Sequence, residues 1–232
     1  MENVDVIMLS HTKDLTYYGM TQRALNSLRL SEKDYNFDIK LLESNKDAAS
    51  QKLEYSCCTT IVPSEKFNYN LYLNYGLEKC STDWLVVANN DLVFMSGWFS
   101  EIMRLHRENP YVKSFSPFEP NWHRLQGFDP ESRDMFFGYR TSKELAGWCI
   151  VIHRDVILDC NLFDPRFAFI YQDNDYAETI KSRGYTHALA SRSSVYHVTA
   201  QSDGLIASED RYSMFDAQES LFYSKWPEAS RH

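Results

Sequence analysis

The chain has 232 residues, with 24 Lys and Arg against 32 Asp and Glu and a formal net charge of −8. At 44% hydrophobic and 15% aromatic residues it is too apolar for a solvated coil, and 8 Gly with 7 Pro exclude collagen-like and linker-like chains. The acidic balance argues against a broad basic face for nucleic acid. The longest mostly apolar stretch, 145–152, falls far short of the roughly 20 residues that cross a bilayer.

The opening Met-Glu-Asn-Val-Asp has no basic region of the secretory kind. The five cysteines include the adjacent Cys57 and Cys58 and show no ligand spacing, so they are read as reduced thiols of a cytoplasmic protein. No repeat or linker divides the chain, and a single domain over 1–232 is expected.

Residues 4–9 form an apolar run broken only by Asp5 and read as a buried first strand. Residues 10–18 read as a polar loop. Over 21–30, Ala24, Leu25 and Leu28 share one face, the pattern of an amphipathic helix. Strands are expected at 37–42 and 59–62, and a helix at 68–79 despite Gly76, which costs about 1 kcal/mol relative to Ala. The Val-rich run 83–88 reads as a central strand covered on both faces, and 98–107 as a helix stopped by Asn109-Pro110. This alternation predicts an α/β fold with a doubly wound, mostly parallel sheet and helices on both faces.

Residues 116–143 break the pattern with Pro, Gly and aromatic residues, and read as a mobile functional loop. Strands are expected at 145–152, 187–190 and 195–198. Helices are expected at 155–160, from 173 to Arg183, and at 211–226.

Three places carry chemistry. Asn89-Asn90-Asp91 follows the central strand, where an open α/β sheet binds ligands. A carboxylate there can hold a hard divalent ion, and the same residues can equally make a turn. Gln172-Asp173-Asn174-Asp175 opens a helix; Asp173 is a candidate general base, or Asp173 or Asn174 a helix cap. His197 ends a strand and is either structural or a metal ligand. Glu43 ends the second strand and is either a solvated acid or an acceptor for a nucleobase or ribose.

In order, Phe163-Asp164-Pro165-Arg166-Phe167, Tyr171-Gln172-Asp173-Asn174-Asp175-Tyr176, Arg183-Gly184-Tyr185 and Val195-Tyr196-His197 resemble the C-terminal signature of family 2 inverting glycosyltransferases with the GT-A fold. The first strand through Ser10, Glu43-Ser44-Asn45, Asn74 and Gly76, the stretch 84–91 and Lys225-Trp226 are similar to that family as well. The resemblance covers nearly the whole chain except 116–143. It implies that Asp91 and His197 hold Mn²⁺ or Mg²⁺ with the donor diphosphate, and that Asp173 is the base. It places Ser10, Glu43, Asn74, Asn89 and Asn90 against the nucleotide sugar. Asn89 and Gln172 stand where the family often has acids.

The chemistry suits these residue types. A nucleoside diphosphate leaves once its charge is neutralised, and the acceptor hydroxyl needs a base on the opposite face of the sugar. The expected activity is hexosyl or pentosyl transfer from a nucleoside-diphosphate sugar, with inversion. A catalytically silent nucleotide- or saccharide-binding module on the same fold is the alternative. The acceptor is expected to be soluble: a glycan, a protein, or a hydroxylated base in phage-type DNA. Trp122, Tyr139, Arg140 and Trp148 are the acceptor candidates. Arg124, Arg133, Arg140 and Lys143 are a possible phosphate patch that the overall charge does not favour.

Overall fold

The computed structural model describes residues 1–48, 53–198 and 208–229, with backbone alone over 208–214. Its centre is a nine-stranded sheet in the order β3-β2-β1-β4-β8-β6-β9-β5, with β7 pairing on β9. The strands on the first side are β1 (Glu2–Ser10), β2 (Tyr35–Glu43), β3 (Thr59–Ile61) and β4 (Trp84–Asn89). They pair in parallel throughout. Beyond β4 the sheet is mixed. β8 (Cys149–His153) runs antiparallel to β4 and to β6 (Val112–Phe118). β9 (Thr186–His197) is parallel to β6 but antiparallel to β5 (Leu92–Phe94) and β7 (Met135–Phe137). The expected parallel pairing therefore holds throughout the first four strands and recurs between β6 and β9.

Alternation along the strands builds two cores. Val4, Val6 and Met8 pack with Leu25 and Leu28 of α1 (Leu15–Leu30) and Phe99 and Ile102 of α3 (Trp98–Glu108). Ile7, Val87 and Ile150 face the other way. They pack with Leu73 of α2 (Tyr69–Leu77), Val156 of α5 (Arg154–Asp159) and Ile180 of α6 (Gln172–Ser182). The sheet is thus covered on both faces, and period-2 strands meet period-3.6 helices as the sequence pattern requires. Asp5, the interruption in the first run, is buried and paired with Lys40, and its carboxylate also accepts from the backbone N–H of Ser81 and Thr82.

Several elements differ from the sequence reading, the unexpected short strand β5 among them. α1 starts at Leu15 because Asp14 caps it, accepting from Thr16 N at 2.7 Å. Strand β6 was hidden by Pro117, which cannot donate to a ladder; it sits where the β6–β9 register shifts. β8 begins only at Cys149, after a turn that buries Leu145 and Ala146. The two short strands expected at 187–190 and 195–198 are one strand, β9, which continues through a register shift between Ala190 and Ser194, with Ser191 and Ser193 buried and Ser191 N donating to Asp134 O at 3.0 Å.

The segment 116–143 is not a bare loop. It contains the end of β6, the helix α4 (Pro120–Leu125) and β7, which is hydrogen-bonded to β9. His123 is fully buried within it and Phe128 nearly so. The expected terminal helix is α7 (Ser208–Lys225). Its first residues, Ser208 to Met214, lack described side chains, and the tail 230–232 lies outside the described residues. All five cysteines are unpaired.

Gly76 lets α2 lie directly on β1. A Cβ there would stand 2.8 Å from Ile7 Cγ1. Gly76→Ala should therefore lower stability by about 1–3 kcal/mol through overpacking, against the propensity gain of about 1 kcal/mol. Urea denaturation would measure this, and a variant more stable than wild type would contradict the close contact.

Candidate active site

A cleft of about 430 Å³ opens beyond the carboxyl ends of β1, β2 and β4. Ser10, Asn89, Asn90, Asp91, Trp148, Asp173 and His197 all line it. Among the described residues its lining contains two carboxylates, Asp91 and Asp173, and no Lys or Arg.

Asp91 and His197 are brought together by strand pairing. The antiparallel β5–β9 ladder sets Leu92 opposite His197, and Val198 N donates to Asp91 O at 3.0 Å. The Asp91 side chain is held at the end of this register, 6% exposed, with Oδ2 3.1 Å from His197 Nε2. Its other oxygen, Oδ1, is buried and has no hydrogen-bond partner among the described residues. An open carboxylate oxygen in that position is costly unless something binds it. Oδ1, Oδ2 and the imidazole form a donor set suited to a divalent cation. No group of three or more His, Cys, Asp or Glu gathers for a metal among the described residues. Asp91 and His197 could together offer a metal two side chains, and the remaining positions would fall to a ligand or water.

Asp173 reaches the cleft by another route. The residue before α6, Tyr171, has φ of 62°, the left-handed region, and no side chain caps the helix. Asp173 is therefore not the cap. Its carboxylate accepts from Asn174 N at 3.0 Å. Burial raises its pKa. Gly147 makes room for it, since a Cβ there would stand 2.8 Å from Asp173 Oδ2.

The strained Tyr171 is held by α7. Its ring stacks on Phe222 at 5.0 Å, and its hydroxyl donates to Glu219 Oε1 at 3.1 Å. Gln218 Oε1 accepts from Ile170 N at 3.1 Å. The second acid of the same run, Asp175, is buried and anchors the end of that helix. It accepts from Lys225 Nζ at 2.7 Å and from Trp226 Nε1 at 2.8 Å. Lys225 also reaches Asp164 at 3.0 Å.

The other expected site residues have structural partners. Glu43 is buried outside the cleft lining, and its carboxylate accepts from Thr12 and from Asn45 N. Asn74 Nδ2 donates to Phe163 O at 3.0 Å. Ser10 and Asn90 line the cleft but also bond to Thr21 of α1, which ties the cleft floor to that helix.

Among the acceptor candidates only Trp148 lines the cleft. Its ring stacks on His197 at 5.4 Å, and its Nε1 is buried without a partner among the described residues. Trp122 Nε1 donates to Ser142 O at 2.6 Å, Tyr139 hydroxyl donates to Tyr185 O at 2.7 Å, and Arg140 pairs with Glu144. Arg133 lies over the Phe136 ring, so two of the four basic residues weighed as a phosphate patch are engaged within the protein.

Sequence reasoning missed His11, Tyr69 and Gly147 as cleft residues. His11 alone carried a signal, its place immediately after the first strand. Gly147 could be found only once α6 was packed against it.

A model of the glycosyl transferase family 2 matches residues 5–160. The chain belongs to glycosyl transferase family 2. No curated protein matches it. Its fold is the GT-A fold of solved glycosyltransferases. GalNAc-T7, solved with UDP, GalNAc and Mn²⁺, superposes with a TM-score of 0.69 at 13% identity, over 98% of this chain and 50% of the other. The mannosyltransferase PcManGT from Pyrobaculum calidifontis, in complex with GDP-Man and Mn²⁺, gives 0.68 at 11% identity, over 98% of this chain and 65% of the other. The family 2 chain thus spans half to two-thirds of these relatives. No helix among its described residues is long and apolar enough to cross a membrane.

The raised pKa of Asp173 has a consequence for stability. The folded state holds this proton more tightly than the unfolded chain, whose value is near 3.8. The stability it contributes is complete below that value and is lost as pH rises through the folded pKa. Above the folded pKa the ionised carboxylate therefore burdens the fold. Asp173→Asn should melt at the same temperature as wild type or higher at pH 7.5, and a lower melting temperature would assign Asp173 a structural role.

Proposed function

We propose that this protein transfers a sugar from a nucleoside-diphosphate donor to an acceptor hydroxyl, with inversion at the anomeric carbon. One observation carries the reading: a single cleft holds an open buried carboxylate oxygen at Asp91 and a second carboxylate, Asp173, with no cationic partner among the described residues. The solved relatives support it, since one contains UDP and Mn²⁺ and the other GDP-Man and Mn²⁺.

With no Lys or Arg among the described lining residues, a bare diphosphate would meet only negative charge beside Asp91. The pair Asp91 and His197 fits Mn²⁺ or Mg²⁺, which when bound would neutralise charge on the leaving diphosphate. Asp91 and His197 hold and orient that end of the donor. Asp173 takes the acceptor proton as the acceptor oxygen bonds to the anomeric carbon and the bond to the diphosphate oxygen breaks. Its raised pKa suits a base that must accept a proton near neutral pH. Trp148 and Gln172, each with a buried unpartnered polar atom in the cleft lining, are placed to bond sugar hydroxyls.

Asp91→Ala should abolish metal-dependent binding of a nucleoside diphosphate in calorimetry, and His197→Ala should weaken it less, because the carboxylate carries the charge. Asp173→Asn should lose at least about 10²-fold in turnover with donor binding nearly intact. The wild-type rate should fall as pH drops through the Asp173 pKa. Nucleotide binding without turnover across a panel of acceptors would favour the silent binding module.

The segment 116–143 is proposed to cover the acceptor side of the cleft, because Trp122 reaches Ser142, itself a lining residue. Closure there would exclude water that competes with the acceptor. Amides of 126–134 and 138–143 should gain hydrogen-exchange protection with nucleotide, metal and acceptor present. Protection that is high and equal with and without ligands would make the segment a fixed part of the core.

A further inference from the structure

The acid expected to read the nucleotide is fully engaged elsewhere. Glu43 is 2% exposed, and its carboxylate accepts from Thr12 N at 3.1 Å, Thr12 Oγ at 2.6 Å and Asn45 N at 2.7 Å. These bonds shape the turn after β1, and the side chain that turn presents to the cleft is His11.

The hydrogen-bond network sets the tautomer of His11. Ser44 Oγ lies 3.0 Å from the carbonyl oxygen of Ser10, to which it can only donate. A hydroxyl has one proton, so Ser44 Oγ must act as acceptor toward His11 Nδ1, 2.8 Å away. Nδ1 then carries the ring hydrogen, and the neutral imidazole bears its lone pair on Nε2. No described residue is recorded as bonding to Nε2. Burial lowers the His11 pKa, while Glu43 acts in the opposite direction, so the ring is neutral at neutral pH.

Strand order fixes where this acceptor lies. The sequence β2, β1, β4, β8 across the sheet sets Ser44, His11, Asp91, and then Gly147 with Asp173, in that order along the cleft. A donor with its diphosphate at Asp91 and its sugar toward Asp173 has its nucleoside over the ends of β1 and β2. We propose that His11 Nε2 accepts the ring N–H of the donor nucleobase, and that the protein therefore uses uridine or guanosine diphosphate sugars in preference to adenosine or cytidine ones. Uracil N3 and guanine N1 carry a hydrogen. Adenine N1 and cytosine N3 carry a lone pair, which would face the lone pair of Nε2. This inference rests on the donor reading above.

Calorimetry with UDP, GDP, ADP and CDP, with Mn²⁺ at pH 7.5, tests it on wild type, His11→Phe and Ser44→Ala. Wild type should bind UDP or GDP about 10-fold or more tighter than ADP and CDP, the worth of one satisfied against one unsatisfied buried hydrogen bond. His11→Phe should weaken the preferred nucleotide about 10-fold and bring it within about 3-fold of the other two. If His11→Phe does not fold by circular dichroism, Ser44→Ala, which keeps the imidazole and frees its tautomer, should narrow the preference by about 3-fold or more. A wild-type preference for ADP or CDP, or one unchanged in the folded variant, overturns the assignment while leaving the donor site intact. No binding of any of the four removes the donor reading, and this assignment with it.

Discussion

The antiparallel pairing of β4 with β8 is the constraint on which the cleft depends. In a wholly parallel sheet, every strand would deliver its carboxyl end to the same edge and the start of each strand to the opposite edge. Here Ala88, near the end of β4, pairs with Cys149 at the start of β8, and Asn89 N donates to Trp148 O at 2.8 Å. The turn before β8 therefore arrives beside the turn after β4. Gly147 and Trp148 stand next to Asp91 for that reason, and Asp173 follows because α6 packs against Gly147. Two carboxylates distant in sequence share a cleft because one strand reverses.

Both carboxylates are held in states the fold does not favour by itself. Asp91 keeps one oxygen unpartnered, and Asp173 is desolvated with no cation to offset it. Folding free energy is a small difference between large terms, so such groups persist only where the surrounding structure over-determines them. The surroundings do so here. The β5–β9 ladder leaves Asp91 and His197 little choice of position. Stacking of Tyr171 on Phe222, together with the Lys225 and Trp226 contacts to Asp175, keeps the uncapped start of α6 in place. The terminal helix is thus part of the support for Asp173, although residue 225 lies some fifty positions away in sequence.

The neighbouring polar residues divide into two kinds. Glu43, Asn74, Asn90 and Asp175 spend their bonding capacity on the protein, while Asp91, Trp148 and Gln172 each keep a buried atom unused. Residue type and position along the chain do not separate the two groups, since Glu43 and Asp91 both stand at or just beyond the end of a parallel strand. Hydrogen-bond accounting separates them. An acid that already accepts from two residues has little left for a ligand, whereas an orphaned oxygen in a cleft retains its full capacity.

The order of elements was legible in the sequence because it follows from local rules. Runs of Val and Ile between amphipathic stretches demand a covered sheet, and Asn89-Asn90-Asp91 and Gln172-Asp173 stand at element ends where backbone groups are open. Asp91, Asp173 and His197 could be singled out on that basis and on their resemblance to one family. The sequence by itself could not show that β8 runs backwards, because strand direction depends on which partner completes the ladder. Nor could it reveal β6, whose Pro117 violates local propensity and is accommodated only at an irregularity in the pairing with β9. Whether Glu43 or His11 lines the cleft was likewise decided in three dimensions. Thr12, Asn45 and Ser44 compete for their polar atoms, and only the folded turn settles which atom is left over.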